Sequence, residues 1–134
     1  MKYQVSDEEF QKIAEELYLK HKDEFNLTVH PSRIMFLRIE KKKGKYAWCR
    51  CIRGEYEHLT SKRFFIVIVS ENFDQLDTEE KKRYVILHEL MHTYFDDEKD
   101  KYGLLKHNLE EFQELLVDPH WNLQIFKNNK KEVI

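Results

Sequence analysis

The chain is 134 residues long, 41% hydrophobic and 36% charged, with 23 basic against 25 acidic side chains. This length suits one domain around a single core, 1–134, and the composition excludes an intrinsically disordered chain. The near-cancellation of charge leaves no whole-protein field to attract nucleic acid or an anionic membrane, so neither is an expected partner.

Residues 1–9 lack the apolar core of a secretory signal, and the longest apolar run, Phe64–Val69, is far too short to span a bilayer. The expected compartment is therefore the cytoplasm. Ser6 and Glu9 have the spacing of a capping box, and Val5 and Phe10 that of a hydrophobic staple. Phe10, Ile13, Ala14, Leu17 and Tyr18 then recur at helical spacing and predict a first helix with one core-facing stripe.

After His30 and Pro31 the period changes to that of strands. Residues 34–39 and 46–52 read as two strands joined by the polar turn Lys41, Lys42, Lys43 and Gly44. Cys49 and Cys51 fall two apart on the second of these. They would share a face, in a geometry poor for a disulfide, and read as reduced structural thiols. The β-branched and aromatic run at 64–69 predicts a strand buried on both faces. A second helix is expected over residues 77–95, capped by Asp77 with Glu80. After a polar stretch, Asn108 and Glu111 would open another helix through Leu109, Phe112, Leu115 and Leu116. The clusters at Lys41, Lys42, Lys43 and Lys45, and at Lys127, Lys130 and Lys131, read as solvated loop and tail. The order helix, three strands, two helices predicts an α+β domain.

Chemistry concentrates in His88-Glu89-Leu90-Met91-His92, an H-E-x-x-H sequence. Two imidazoles at i and i+4 stand one turn apart on one helix face and can reach a single ion, while the intervening Glu projects from the adjoining face as a general base. The apolar arc is formed by Tyr84, Leu87, Leu90, Met91, Tyr94 and Phe95, with both histidines at its margin, where a helix packed on a sheet would face a cleft. A tetrahedral catalytic zinc needs a third ligand and an open position. His107, just ahead of a predicted helix start and after a loop long enough to bring it back, is preferred. Glu110 or Glu111 come next, then Asp96; His120 and His58 have no partner at ligand spacing and read as non-ligands.

These residues, with Phe112 and Trp121 downstream of His107, resemble the putative phage metallopeptidase family, small zincin-like (minigluzincin) domains neighbouring the SprT-like proteases. The likeness covers roughly residues 34–121. It implies a small sheet of three or slightly more strands, packed against an N-terminal helix and the HExxH helix, with a further C-terminal helix. It also implies Zn2+ held by His88, His92 and His107, with Glu89 as the catalytic residue. One departure is Asn108, where the family pattern is acidic; Asn caps a helix comparably well.

The expected activity is thus that of a zinc metallopeptidase hydrolysing peptide bonds through a zinc-bound water, with peptide or protein as substrate. The substrate peptide would add along a sheet edge, at strand 46–52. Co2+, Ni2+ or Mn2+ could substitute for zinc. The alternatives are a non-catalytic zinc-stabilised binding or regulatory module, and a nucleic-acid-associated SprT-like protease.

Overall fold

The computed structural model describes residues 2–105. A short strand β1 (Gln4–Val5) leads into helix α1 (Asp7–His21). Two longer strands follow, β2 (Ile34–Ile39) and β3 (Ala47–Cys51), then a 3-10 turn at Gly54–His58 and strand β4 (Phe64–Val69). One helical turn, α2 (Ser70–Phe73), precedes helix α3 (Glu79–His92), and the hairpin of β5 (Thr93–Asp96) and β6 (Lys101–Leu104) closes the described chain. This is an α+β fold. No described helix is long and apolar enough to cross a membrane.

The main sheet has the order β1-β2-β4-β3. β4 lies parallel to β2 and antiparallel to β3, so the strands at 34–39 and 46–52 are neighbours in sequence but do not pair. The reason lies in their side chains. Every residue of β4 is apolar and its last four are all buried, which suits the slot with a strand on either side. β3 carries Arg50 and a half-buried Trp48 and takes the edge. On the helix-facing side, Ile34 and Phe36 pack with Phe64, Ile66, Ile68 and Ala47. On the other, Ile39, Val67 and Val69 form a smaller cluster with Leu37 and Trp48.

α1 buries Phe10, Ala14 and Leu17 against the sheet, with Ile13 and Tyr18 at the margin, as the helical stripe predicts. Its start differs from expectation. Val5 is 67% exposed and makes no staple, because Gln4 and Val5 pair with Arg38 and Leu37 as an added strand. The Ser6 side chain makes no capping bond; Ser6 N–H instead donates to Phe36 O at 2.8 Å, and Asp7 Oδ1 accepts from Phe36 N–H at 2.8 Å. Glu9 is likewise diverted. Its carboxylate accepts three bonds from Arg38, Oε1 from Nε at 2.8 Å and from Nη2 at 2.5 Å, and Oε2 from Nη2 at 2.9 Å. The Arg38 guanidinium also reaches Ser70 Oγ at 2.9 Å and stacks over Phe10 at 5.0 Å, tying α1, β2 and α2 together.

α3 starts at Thr78, not Asp77: Thr78 Oγ1 accepts from Lys81 N–H at 3.1 Å, while Asp77 pairs with Lys81 Nζ at 2.9 Å. It ends at His92 and does not run on to 95. Tyr94 and Phe95 belong to a strand, where β-branched and aromatic residues fit better than in a last helical turn. The cross-strand rings of Phe95 and Tyr102 lie 4.8 Å apart and favour the hairpin. The predicted C-terminal helix lies outside the described residues.

The two helix starts make separable expectations. Thr78→Ala should cost about 1 kcal/mol in urea denaturation, while Ser6→Ala should change stability by less than about 0.5 kcal/mol. Equal losses would mean that Ser6 caps α1 after all.

Candidate metal centre

Each residue of α3 from Tyr84 to His92 is buried. The helix starts as an amphipathic one and ends wedged against α1, β3 and the hairpin. The histidines are therefore not at an open margin as the helical wheel suggests: Val85 and Ile86 are covered too, His88 is 0% and His92 9% exposed, and Glu89 is 2% exposed. A buried carboxyl between two buried imidazoles is costly without compensation. The arrangement of the three groups indicates what compensates.

The i, i+4 spacing sets the two rings edge to face, with centroids 4.8 Å apart and planes at 77°. Their Nε2 atoms lie 3.1 Å from each other. His92 Nδ1 is 2.6 Å from the carbonyl oxygen of Leu105. A carbonyl only accepts, so Nδ1 carries the proton and the lone pair of His92 Nε2 points at His88 Nε2. The space between the two nitrogens must hold either a proton of His88 or a cation faced by both. An ion about 2.0–2.1 Å from each at the tetrahedral angle would hold them about 3.3 Å apart, close to the observed spacing. One ligand atom from each of His88, Glu89 and His92 can be chosen so that all lie within 4.8 Å of one another. The donor set thus fits a divalent ion.

Burial lowers the His92 pKa, although the bond to Leu105 works against this, so the ring is held in the neutral form that ligates. Burial pushes the Glu89 carboxyl up to about 8, with the nearby Lys45 ammonium pulling the other way. Cys49, on the strand beside Glu89, is raised by burial first and by the Glu89 charge second. Cys49 and Cys51 are both free thiols.

The hairpin is what supplies the Leu105 carbonyl. Thr93 pairs with Leu104 and Asp96 with Lys101, and Leu105 N–H continues the ladder by donating to His92 O at 2.8 Å. Leu105 therefore grips His92 at both main chain and ring. Nothing in the sequence marks this, because the contributing atom is a backbone oxygen. Nor does the sequence mark Lys45 and Cys49 as neighbours of Glu89, since their approach depends on β3 lying at the sheet edge next to α3. Of the other residues read as possible ligands, Asp96 is used elsewhere. Its Oδ1 accepts from Glu98 N–H at 3.0 Å and Lys99 N–H at 3.2 Å, closing the hairpin turn. His58 is exposed on the 3-10 turn. His107, Glu110, Glu111 and His120 lie outside the described residues.

The shifted groups predict a pH dependence for the metal-stripped protein. Glu89 in the fold keeps its proton up to about 8, whereas the unfolded carboxyl releases it near 4.5. Folding thus takes up a proton over that interval and stability falls as pH rises. His92 acts oppositely: with its pKa lowered from 6.5, stability falls as pH drops below 6.5. Between pH 6.5 and 8 the Tm of wild type should therefore fall relative to that of Glu89→Gln, measured after chelator treatment. Parallel curves would show that Glu89 is not protonated in the fold.

A family model described as "Putative phage metallopeptidase" matches residues 2–130. No curated protein and no solved structure matches the chain.

Proposed function

The chain belongs to the putative phage metallopeptidase family, and from that premise we propose that it is a zinc-dependent peptidase in which His88 and His92 hold the ion and Glu89 is the general base. The observation that carries this reading is the pair of Nε2 atoms 3.1 Å apart, with His92 locked in the ligating tautomer by Leu105. Zinc is the ion of choice for neutral imidazoles in a tetrahedral set. When bound, it supplies a Lewis acid that polarises the scissile carbonyl and acidifies a water.

Glu89 takes the proton of the attacking water and delivers it to the leaving amine. Burial raises its affinity for that proton, and the charge of a bound dication would offset the rise and leave the carboxylate free to accept. Leu105 keeps the His92 ring from rotating while this happens. His107 is the proposed third ligand. It follows Leu105 by two residues, a reach of about 7 Å at most, and Leu105 stands against His92. The substrate peptide is proposed to lie along β3, an edge of the described sheet that packs beside α3. The burial of all three site residues favours a second reading, in which the ion only braces the domain.

Glu89→Gln should keep the wild-type metal stoichiometry and lose cleavage of a peptide library by about 10²-fold or more. If the ion only braces the fold, that substitution leaves biological activity intact while His88→Ala unfolds the protein. Metal analysis of His107→Ala tests the third ligand, since unchanged stoichiometry and affinity would remove it from the set.

A further inference from the structure

Beyond the candidate metal centre, β3 leads into a charged cleft. Ala47, Cys49 and Cys51 share the face of the strand that joins the helix-side core, and α3 with Glu89 packs against that strand. The extended path does not stop at Cys51. Ile52 N–H donates to Arg63 O at 2.8 Å, and Arg53 keeps a strand backbone (φ −134°, ψ 167°) before the chain turns at Gly54, whose φ is +70°. Alternation therefore puts Arg53 on the face of Cys49 and Cys51, about 13 Å along the strand from Cys49.

Arg53 opens onto a cleft of about 610 Å³ that it lines with Arg63, Lys101 and Tyr102, and with the acids Glu57 and Asp100. The Arg53 and Lys101 side chains make no hydrogen bond or ion pair among the described residues. Arg63 Nη1 donates to the carbonyls of Thr60 and Lys62, at 2.8 Å each, which position the guanidinium without neutralising it. Three cations thus face two carboxylates in a concave site, and none of them is paired with either acid. The Tyr102 ring, braced edge-on against Phe64 at 5.9 Å, gives the cleft a fixed wall.

We propose that this cleft selects substrates, binding the carboxylate of an acidic side chain about three to five residues from the bond to be cut in a peptide laid along β3. It rests on the peptidase reading above. Guanidinium forks match carboxylates in two-point contact, and Arg53 both lines the cleft and continues the extended path of β3, so the same peptide can reach both.

The test separates binding from turnover. Short fluorescein-labelled, C-terminally amidated peptides of one core sequence, carrying either a glutamate or a glutamine tail, are titrated onto the full-length Glu89→Gln protein. The glutamate form should bind about fivefold tighter. Arg53→Glu combined with Lys101→Glu should abolish that preference and favour a lysine-tailed peptide instead, with circular dichroism confirming the fold. Wild type acting on a mixed peptide library should show acidic residues enriched at a fixed distance from the cut. If acid-dependent binding appears and is lost in the double variant while wild type cuts nothing, the cleft assignment stands and the peptidase reading fails. If wild type cuts without acid enrichment and both tails bind equally, the cleft assignment is overturned alone. Displacement of the peptide by a single-stranded oligonucleotide at lower concentration than by unlabelled glutamate peptide would also overturn it.

Discussion

One contact organises the site: the hydrogen bond from His92 Nδ1 to the Leu105 carbonyl, 2.6 Å long. It fixes a tautomer, and the tautomer fixes where a lone pair points. Without it, the His92 ring could present either nitrogen to His88, and the 3.1 Å approach of the two Nε2 atoms would be one arrangement among several. The hairpin β5–β6 makes that bond possible, since its register returns the chain to His92 after one tight turn. That turn is closed by Asp96 and passes through Asp100 at φ +50°, a conformation that Asp tolerates better than most side chains. A small piece of antiparallel sheet, with no chemistry of its own, thus orients the histidine-bearing helix end.

The second constraint is the sheet edge. Because β4 claims the inner slot, β3 is left outermost with its apolar face turned to α3. This brings Cys49 and Lys45 into the electrostatic neighbourhood of Glu89. The carboxyl therefore sits between a helix that buries it and a strand preceded by a nearby cation, Lys45. Burial dominates, and Lys45 only moderates it.

Much of this is legible in the residues. The β4 strand is bounded at Phe64 and Val69 by its unbroken apolar run, and the α1 stripe by its helical period. The His88-Glu89-His92 grouping follows from helix geometry alone. The departures have one origin, which is that local signals lose to longer-range ones. Ser6 and Glu9 have capping spacing, but Phe36 and Arg38 offer them partners from another strand. Residues 34–39 and 46–52 have the look of a hairpin because a turn joins them; the more apolar β4 competes for the same edge and wins. The end of α3 falls earlier than its pattern suggests because Tyr94 and Phe95 continue the helical period, and only the pairing with Tyr102 and Gly103 reveals their other use. The charge balance of the whole chain likewise conceals a local excess at Arg53, Arg63 and Lys101, gathered from three separate segments.

The threading of β4 between β2 and β3 carries a kinetic corollary. Neither earlier strand can complete its ladder until residues through Val69 have been synthesised, so the nascent chain holds two unpaired strand edges without a local hairpin to shelter them. Closing the parallel β2–β4 pairing also means ordering a loop of some two dozen residues before its contacts return any free energy. The N-terminal half should therefore acquire its structure late and all at once, in step with α3, and the histidine-bearing helix would not exist in isolation from the scaffold that positions it.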